Sequence, residues 1–280
     1  MIILPSEMDL RVEITGDNRA MAVANLEPRP QATRLQRLTV VIPALNEEKG
    51  IGPVLQEIPI QRLLELGYET EVLVVDNGST DNTVRIARSH GATVIIQPIR
   101  GYGNAYKAGF ANATGDIIAT GDADLTYPFS ILPEVLAKIE NENLDFVNTD
   151  RLTNLQAEVM TTSHRFGNWV LSLMMKSLYG WPYKDSQSGM WIFKRRILPY
   201  LTVESSGMPF SQELKIEAYV KGFTCAEVPI EYRERAGDVK LNTIKDGIRN
   251  ILHLLTKRLS VAVQYQGSIQ QKPQRVWESV

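Results

Sequence analysis

Hydrophobic and polar positions fall into three regimes along the chain. Up to about Arg37 neither a helical nor a strand period is clear, and the segment runs through Glu27-Pro28-Arg29-Pro30-Gln31, as expected of a loosely ordered arm. Regular patterning begins at Leu38-Thr39-Val40-Val41-Ile42, a β-branched run that stops at Pro43 and leads through a polar turn into a helical stretch ending near Leu66. Val72-Leu73-Val74-Val75 follows, closed by Asp76-Asn77-Gly78-Ser79-Thr80-Asp81 and a helix to about Ser89. Ala92-Thr93-Val94-Ile95-Ile96 precedes a glycine-rich turn, Arg100 to Asn104, and a helix to Ala113; Asp116-Ile117-Ile118-Ala119-Thr120 ends in Gly121-Asp122-Ala123-Asp124. Continuous apolar strands alternating with helices predict a mostly parallel sheet covered on both faces.

The second half is less regular. Phe146-Val147-Asn148, Met190-Trp191-Ile192-Phe193 and Cys225-Ala226-Glu227-Val228-Pro229-Ile230 read as strands, and Arg165 to Leu178 as a helix rich in Trp, Leu and Met. Beyond Leu241, Ile244, Ile248, Ile251, Leu254 and Leu255 recur at helical spacing. No repeat or low-complexity tract interrupts the chain. The segments are an arm (1–37), a main domain (38–240) and a terminal amphipathic helix with a tail (241–280).

Two predicted strand ends carry acids: Asp76 on the second, Asp122 and Asp124 on the fourth. Ligands of open parallel sheets bind at those ends. Two hard carboxylates two residues apart suit Mg²⁺ or Mn²⁺, which share oxygen ligands with substrate phosphates. An isolated Asp-x-Asp is usually a polar turn; the strand-end position beside Asp76 is what favours chemistry here.

Composition removes several rivals. With 30 Lys+Arg against 32 Asp+Glu among 280 residues, the net charge of −2 argues against nucleic-acid binding. The lone Cys225 excludes an internal disulfide framework and a multi-cysteine zinc site. No apolar run approaches a membrane span, and the first residues lack a signal-peptide pattern, so the expectation is a cytoplasmic chain. Gly101-Tyr102-Gly103 has Tyr106 where a dinucleotide fingerprint needs a small residue. No Walker A or Gly-x-Ser-x-Gly sequence is present, and His90 reads as a helix end.

Five segments resemble a known family. Val41-Ile42-Pro43-Ala44-Leu45-Asn46-Glu47-Glu48, Val75-Asp76-Asn77-Gly78-Ser79-Thr80-Asp81 and Gly121-Asp122-Ala123-Asp124 look like the nucleotide-sugar signatures of family 2 glycosyltransferases. Asp185-Ser186-Gln187-Ser188-Gly189 and Val228 to Arg235 resemble its polyprenyl-phosphate branch, typified by dolichol-phosphate mannose or glucose synthases. The resemblance covers about residues 38 to 245. It implies the Rossmann-like GT-A fold and inverting transfer of a hexose from a nucleotide diphosphate sugar, of the GDP-mannose or UDP-glucose type, onto a polyprenyl phosphate.

Carried over by residue, the resemblance puts Pro43 and Glu47 at the base and ribose, Asp76 at the nucleobase, and Asn77 and Gly103 on the same nucleotide-sugar side. Asp122 and Asp124 hold the metal, Asp122 also meeting the donor. Arg151, Arg165, Arg235 and Lys240 bind the acceptor phosphate, and Asp124, Arg235 and Glu213 take the catalytic roles. A phosphate acceptor needs positioning, whereas a hydroxyl acceptor would need Glu213 or Asp185 as base. Asn77 stands where many relatives have a second acid, Thr126 where close relatives often have Gln, and Val239 where Ser is common. Two rival readings remain at this stage: a soluble GT-A transferase acting on a hydroxyl, and a nucleotide-sugar-binding protein without turnover.

Two segments are expected to touch lipid from the cytoplasmic side, as a peripheral protein would. Trp169 to Met175, continuing through Trp181, is more apolar than one buried face requires. Lys245, Arg249, His253 and Lys257 recur every four residues, predicting a basic stripe on a membrane-surface helix.

Overall fold

A computed structural model describes residues 35–156, 159–237 and 243–267. Most of the arm, Lys240 and the tail therefore lie outside the described residues. One sheet contains β1 (Gln36–Ala44), β2 (Tyr68–Asp76), β3 (Thr93–Ile96), β4 (Ile117–Thr120), β5 (Phe146–Asp150), β6 (Trp191–Lys194) and β7 (Cys225–Pro229). Their order is β3-β2-β1-β4-β6-β5-β7, and only β6 runs antiparallel to its neighbours. The helices are α1 (Ile51–Glu57), α2 (Ile60–Glu65), α3 (Thr83–Ser89), α4 (Tyr102–Asn112), α5 (Leu132–Asn141), α6 (Thr162–Tyr179), α7 (Phe210–Val220) and α8 (Thr243–Gly267).

The apolar run of β1 serves both faces of the sheet. Leu38, Val40 and Ile42 pack with Val54 of α1, Leu63 of α2 and Leu136 of α5. Val41 joins Leu73 and Val75 against Tyr106 of α4 and Leu214 of α7. Strands buried on both sides cannot alternate with polar residues, which is why these runs are continuous. Gly109 allows α4 to lie close, since a Cβ there would stand 2.3 Å from Val41 Cγ1.

Two prolines depart from the expected boundaries. β1 does not stop at Pro43 but continues to Ala44, with Pro43 in register with Val75. The β1–β4 pairing ends at Val41, so the N–H that proline lacks is not missed by a ladder partner. The single helix expected up to Leu66 is broken at Pro59 into α1 and α2.

A third apolar cluster ties Leu171, Met175 and Tyr179 of α6 to Ile216 of α7 and to Leu254 and Val261 of α8. The predicted basic stripe of α8 does not face outward as a unit. Lys257 is buried, 3.1 Å from Glu213 and 2.7 Å from Glu217, and His253 is half-buried with Nε2 3.7 Å from Glu213. Arg249 is exposed, and the side chain of Lys245 lies outside the described residues. Beside Arg249 and Arg258, α8 shows solvent an apolar stripe: Ile248, Leu252, Leu255 and Leu259, the last 70% exposed.

Candidate active site

A cleft of about 360 Å³ opens at the carboxyl ends of the parallel strands. Pro43 and Ala44 at the end of β1 line it with Leu45 and Glu47 just beyond, Asn77 after β2, Asp122 to Asp124 after β4, Arg151 after β5, and Tyr232 and Arg235 after β7. The start of α4 (Arg100 to Tyr102), Tyr127, Met208, and Gln187 and Gly189 ahead of β6 complete the wall. A larger cavity, about 730 Å³, lies at the other end of the sheet. Its cations are engaged locally, Lys194 with Asn143, Arg195 with the Gly115 carbonyl and Arg196 with Asp145, so the strand-end cleft is where unspent chemistry gathers.

Asp122 is half-buried in this cleft. Burial, and then the neighbouring charge of Asp124, push its carboxyl up to about 7. The turn that follows passes through Leu125 at φ +70°, a left-handed conformation that costs a non-glycine residue energy. That turn lets Asp124 Oδ1 accept from the Thr126 N–H at 3.1 Å and from its hydroxyl at 2.6 Å. Thr126 is therefore spent on orienting Asp124.

Asp124 Oδ2 meets Arg235 Nη1 at 3.2 Å, and Nη2 of the same guanidinium donates to Glu47 Oε1 at 2.8 Å. The Ala236 N–H bonds the Asp124 carbonyl and the Arg233 N–H bonds the Thr126 carbonyl, which lays the segment after β7 along the acids. Arg235 Nε is buried without a hydrogen-bond partner, a donor left for an anion.

Among the described residues no group of three or more His, Cys, Asp or Glu stands ready for a metal. Asp122 and Asp124 supply two hard oxygen donors, the set Mg²⁺ accepts when diphosphate and water complete its shell. The residues fit such an ion.

Of the residues expected on the nucleotide side, Asp76 lies outside the cleft lining and is turned back on its own loop, accepting from the N–H groups of Gly78 and Ser79. Asn77 uses both ends of its amide. Nδ2 donates to the carbonyls of Gln97 and Ile99, and Oδ1 accepts from the Gly101 N–H at 2.7 Å. It staples the approach to α4, a job for which an amide is suited and a second acid is not. Asn46 Oδ1 accepts from the Thr80 N–H, joining the loops after β1 and β2. Gly103 departs from expectation. It lies inside α4, where a Cβ would stand 2.4 Å from the Ser205 carbonyl oxygen, so it serves packing while Gly101 and Tyr102 face the cleft.

The acceptor set is also rearranged. Arg151 lines the cleft but is clamped from behind, Nε to Asp185 Oδ2 at 2.7 Å and Nη2 to Oδ1 at 2.9 Å. Burial opposes ionisation of Asp185, and the Arg151 guanidinium outweighs it, holding the carboxyl below its usual range. Arg165 is exposed on the first turn of α6, outside the cleft lining.

Glu213 is neither a solvated helix position nor a free base. It is buried and set apart from the cleft lining, its oxygens engaged by Lys257, His253 and the N–H groups of Glu204 and Ser205. Burial raises its pKa, but nearby His253, the Lys257 ammonium and the Ser205 N–H prevail and hold it at about 2.

Arg100, Tyr102, Tyr127, Gln187, Gly189, Met208 and Tyr232 were not singled out as site residues from sequence. Gln187 and Gly189 sit in the Asp185–Gly189 motif, Tyr232 in the Val228–Arg235 motif, and Arg100 and Tyr102 in the glycine-rich turn, so those five had a local signal. Tyr127 had none; its hydroxyl bonds the Gly189 N–H at 2.6 Å across a long sequence separation.

The profile described as Glycosyl transferase family 2 matches residues 39–201. The chain is similar to the low-salt glycan biosynthesis hexosyltransferase Agl6 of Haloferax volcanii, 36% identical over 220 residues. That match covers 78% of this chain and 53% of Agl6, so the chain spans about half of that relative's length. It is also similar to the dolichyl-phosphate hexose transferase of the same organism, 39% identical over 211 residues, covering 75% of this chain and 89% of that protein. Among solved structures, glucosyl-3-phosphoglycerate synthase from Mycobacterium tuberculosis, in complex with Mn²⁺, UDP and phosphoglyceric acid, superposes with a TM-score of 0.64 at 25% identity. That superposition covers 80% of this chain and 78% of that one. The mixed sheet, the acids at its strand ends and these likenesses bear out the expected GT-A architecture, and the chain belongs to glycosyl transferase family 2.

Proposed function

We propose that this glycosyltransferase moves a hexose from a nucleotide diphosphate sugar, of the GDP-mannose or UDP-glucose type, to a polyprenyl phosphate at a membrane surface. The observation that carries the acceptor class is what the cleft lacks. Among the described residues lining it, the acids are Glu47, Asp122 and Asp124, and there is no histidine. Glu47 is paired with Arg235, and the two aspartates are assigned to the metal. Asp185 and Glu213, the bases a hydroxyl acceptor would require, are locked in buried ion pairs. A phosphate oxygen is already ionised near neutral pH and needs only to be aimed.

Asp122 and Asp124 would hold Mg²⁺ or Mn²⁺, which when bound would supply a Lewis acid for the charge on the leaving nucleoside diphosphate. Pro43, Asn77 and the loop ending at Gly101 shape the nucleotide half, and Arg235 offers its spare Nε–H to a phosphate oxygen. Arg151, fixed by Asp185, presents its guanidinium edge to the acceptor half. The acceptor oxygen attacks the anomeric carbon opposite the departing diphosphate, so configuration inverts and no proton transfer is needed.

Two apolar stripes support the membrane surface. Phe166, Trp169 and Leu173 stand out from α6, with Trp169 57% exposed, and Ile248, Leu252, Leu255 and Leu259 stand out from α8. The exposed charges described on these helices, Arg165, Lys176, Arg249 and Arg258, are all cations. Such a surface suits anionic lipid, whereas a second copy docked face to face would set cation against cation. Among the described residues no helix is long and apolar enough to cross a membrane. The name of the dolichyl-phosphate relative points to the same acceptor.

The test supplies radiolabelled UDP-glucose or GDP-mannose with Mn²⁺ to vesicles carrying either polyprenyl phosphate or the matching polyprenol, and counts label in the organic extract. Transfer to the phosphate alone is expected. Equal transfer to the neutral alcohol would refute the reading and return the hydroxyl acceptor.

A further inference from the structure

Lys215 of α7 is completely buried, and the transfer chemistry above makes no use of it. Its Nζ donates to the carbonyl oxygens of Ser186 at 2.8 Å and Ser188 at 2.7 Å, and lies 5.6 Å from the centre of the Trp191 ring. The Ser188 carbonyl accepts two further bonds, from Trp191 Nε1–H at 2.7 Å and the Ser211 hydroxyl at 3.1 Å. A carbonyl oxygen offers two lone pairs, so three donors converging on one leave that peptide little freedom.

The same short segment forms the cleft wall on its other side. Gly189 follows immediately, and a Cβ there would stand 2.9 Å from Tyr102 Oη and 3.5 Å from Asp122 Oδ2. Asp185, one residue before the clamped peptides, is the carboxylate that orients Arg151. Packing alone does not call for a cation here, because an apolar side chain of similar length would fill the space without the cost of burying charge.

We propose that Lys215 is a positioning residue for the acceptor half of the cleft: by drawing the Ser186 and Ser188 carbonyls onto α7 it fixes Asp185 beneath Arg151. Burial draws the amine down to about 7 against the pull of Asp185. The hold survives that titration, since a neutral amine still has two N–H groups for two carbonyls. The nucleotide half is built from β1, β2 and the start of α4, whereas the Lys215 hydrogen bonds go to Ser186 and Ser188. The inference rests on the phosphate-acceptor reading.

The experiment compares wild type with Lys215→Met and Lys215→Gln, measuring the Kd for UDP or GDP with Mn²⁺ and steady-state transfer to polyprenyl phosphate at saturating donor. For Lys215→Met, kcat/KM for the acceptor is expected to fall about tenfold or more while nucleotide Kd stays within about twofold, as loss of alignment without loss of donor binding would give. Lys215→Gln keeps N–H donors and should recover part of the loss. A folded Lys215→Met with wild-type acceptor kinetics, or one that loses nucleotide affinity in step with transfer, overturns the assignment. Should Lys215→Met not fold, Ser211→Ala decides, because it removes one donor from the same carbonyl. A rise in acceptor KM of about threefold supports the positioning role, and unchanged kinetics overturn it. Wild-type enzyme that transfers nothing to polyprenyl phosphate would sink both readings, whereas a normal wild type with an indifferent Lys215→Met sinks only this one.

Discussion

Replacing Arg235 by Met should move two measurable quantities in opposite directions. Without ligand, the guanidinium stands between Glu47 and Asp124, at 2.8 and 3.2 Å, and its side chain is only a quarter exposed. It therefore occupies with its own charge a place a divalent cation needs. A metal approaching Asp124 must displace Nη1, and a charge-assisted hydrogen bond of this kind is worth about 1.5–3 kcal/mol. Removing the competitor returns that amount to the incoming ion, so bare Mn²⁺ should bind Arg235→Met roughly ten- to hundredfold more tightly than wild type. Transfer should fall, because the displaced guanidinium is also the group whose buried Nε awaits an anion. The loss of one such contact predicts a fall in kcat/KM of about ten- to hundredfold. Free Mn²⁺ can be followed by its solution EPR signal in a nucleotide-free titration, with transfer measured on the same preparations. Unchanged or weaker bare-metal binding in the variant would refute the competition, whatever the activity does.

Asp122→Asn and Asp124→Asn should each lower turnover by about two orders of magnitude or more at saturating Mn²⁺, and near-wild-type rates in both would end the metal assignment. Arg151→Ala leaves Asp185 buried without its partner, so it should cost about 3–5 kcal/mol in denaturant unfolding; a fully stable variant with only a raised acceptor KM would show the clamp to be dispensable. Glu213→Gln should destabilise the fold by about 3 kcal/mol at neutral pH, since the folded carboxyl titrates at about 2 against an ordinary 4.5. A depressed carboxylate stabilises above its unfolded pKa and loses that contribution as pH falls toward the folded one. The gap between wild type and variant should therefore close between about pH 4.5 and 2 in urea melts, and a pH-independent gap would contradict the ion-pair account. Trp169→Glu combined with Leu252→Glu should abolish sedimentation with anionic vesicles and leave UDP or GDP affinity intact; undiminished vesicle binding would refute the lipid-facing assignment.

The sheet was legible because β1, β2 and β4 are buried on both faces, and such strands cannot be written otherwise than as continuous apolar runs. Asp122 and Asp124 were legible because a strand end fixes where they sit. The partners of Arg151 and Glu213 were not, since Asp185 lies 34 residues away and Lys257 lies 44, and no local pattern encodes such pairings. The orientation of α8 shows the limit most clearly. Spacing groups Arg249, His253 and Lys257 on one side of the helix, but says nothing of which side turns inward. Glu213 and Glu217 decide that by offering Lys257 two buried counter-charges, which leaves the apolar stripe outside. Pro59, by contrast, carried its own signal, and the break between α1 and α2 follows from the ring alone.

The double pairing of Lys257 also bears on where this chain can be shortened. Glu213 and Glu217 are almost wholly enclosed, and the ammonium that faces both arrives from α8, long after the last strand has closed the sheet. A chain cut just ahead of Thr243 would keep every strand and every cleft residue named above, yet take the Lys257 ammonium from two buried acids, leaving Glu217 with Lys221 alone and Glu213 without its ion pair. Such a fragment has to protonate them, draw in water or open the contact between α6 and α7. Trimming for crystallisation or expression therefore belongs beyond Gly267, and a portion ending near residue 240 is expected to be less stable at neutral pH than the full chain.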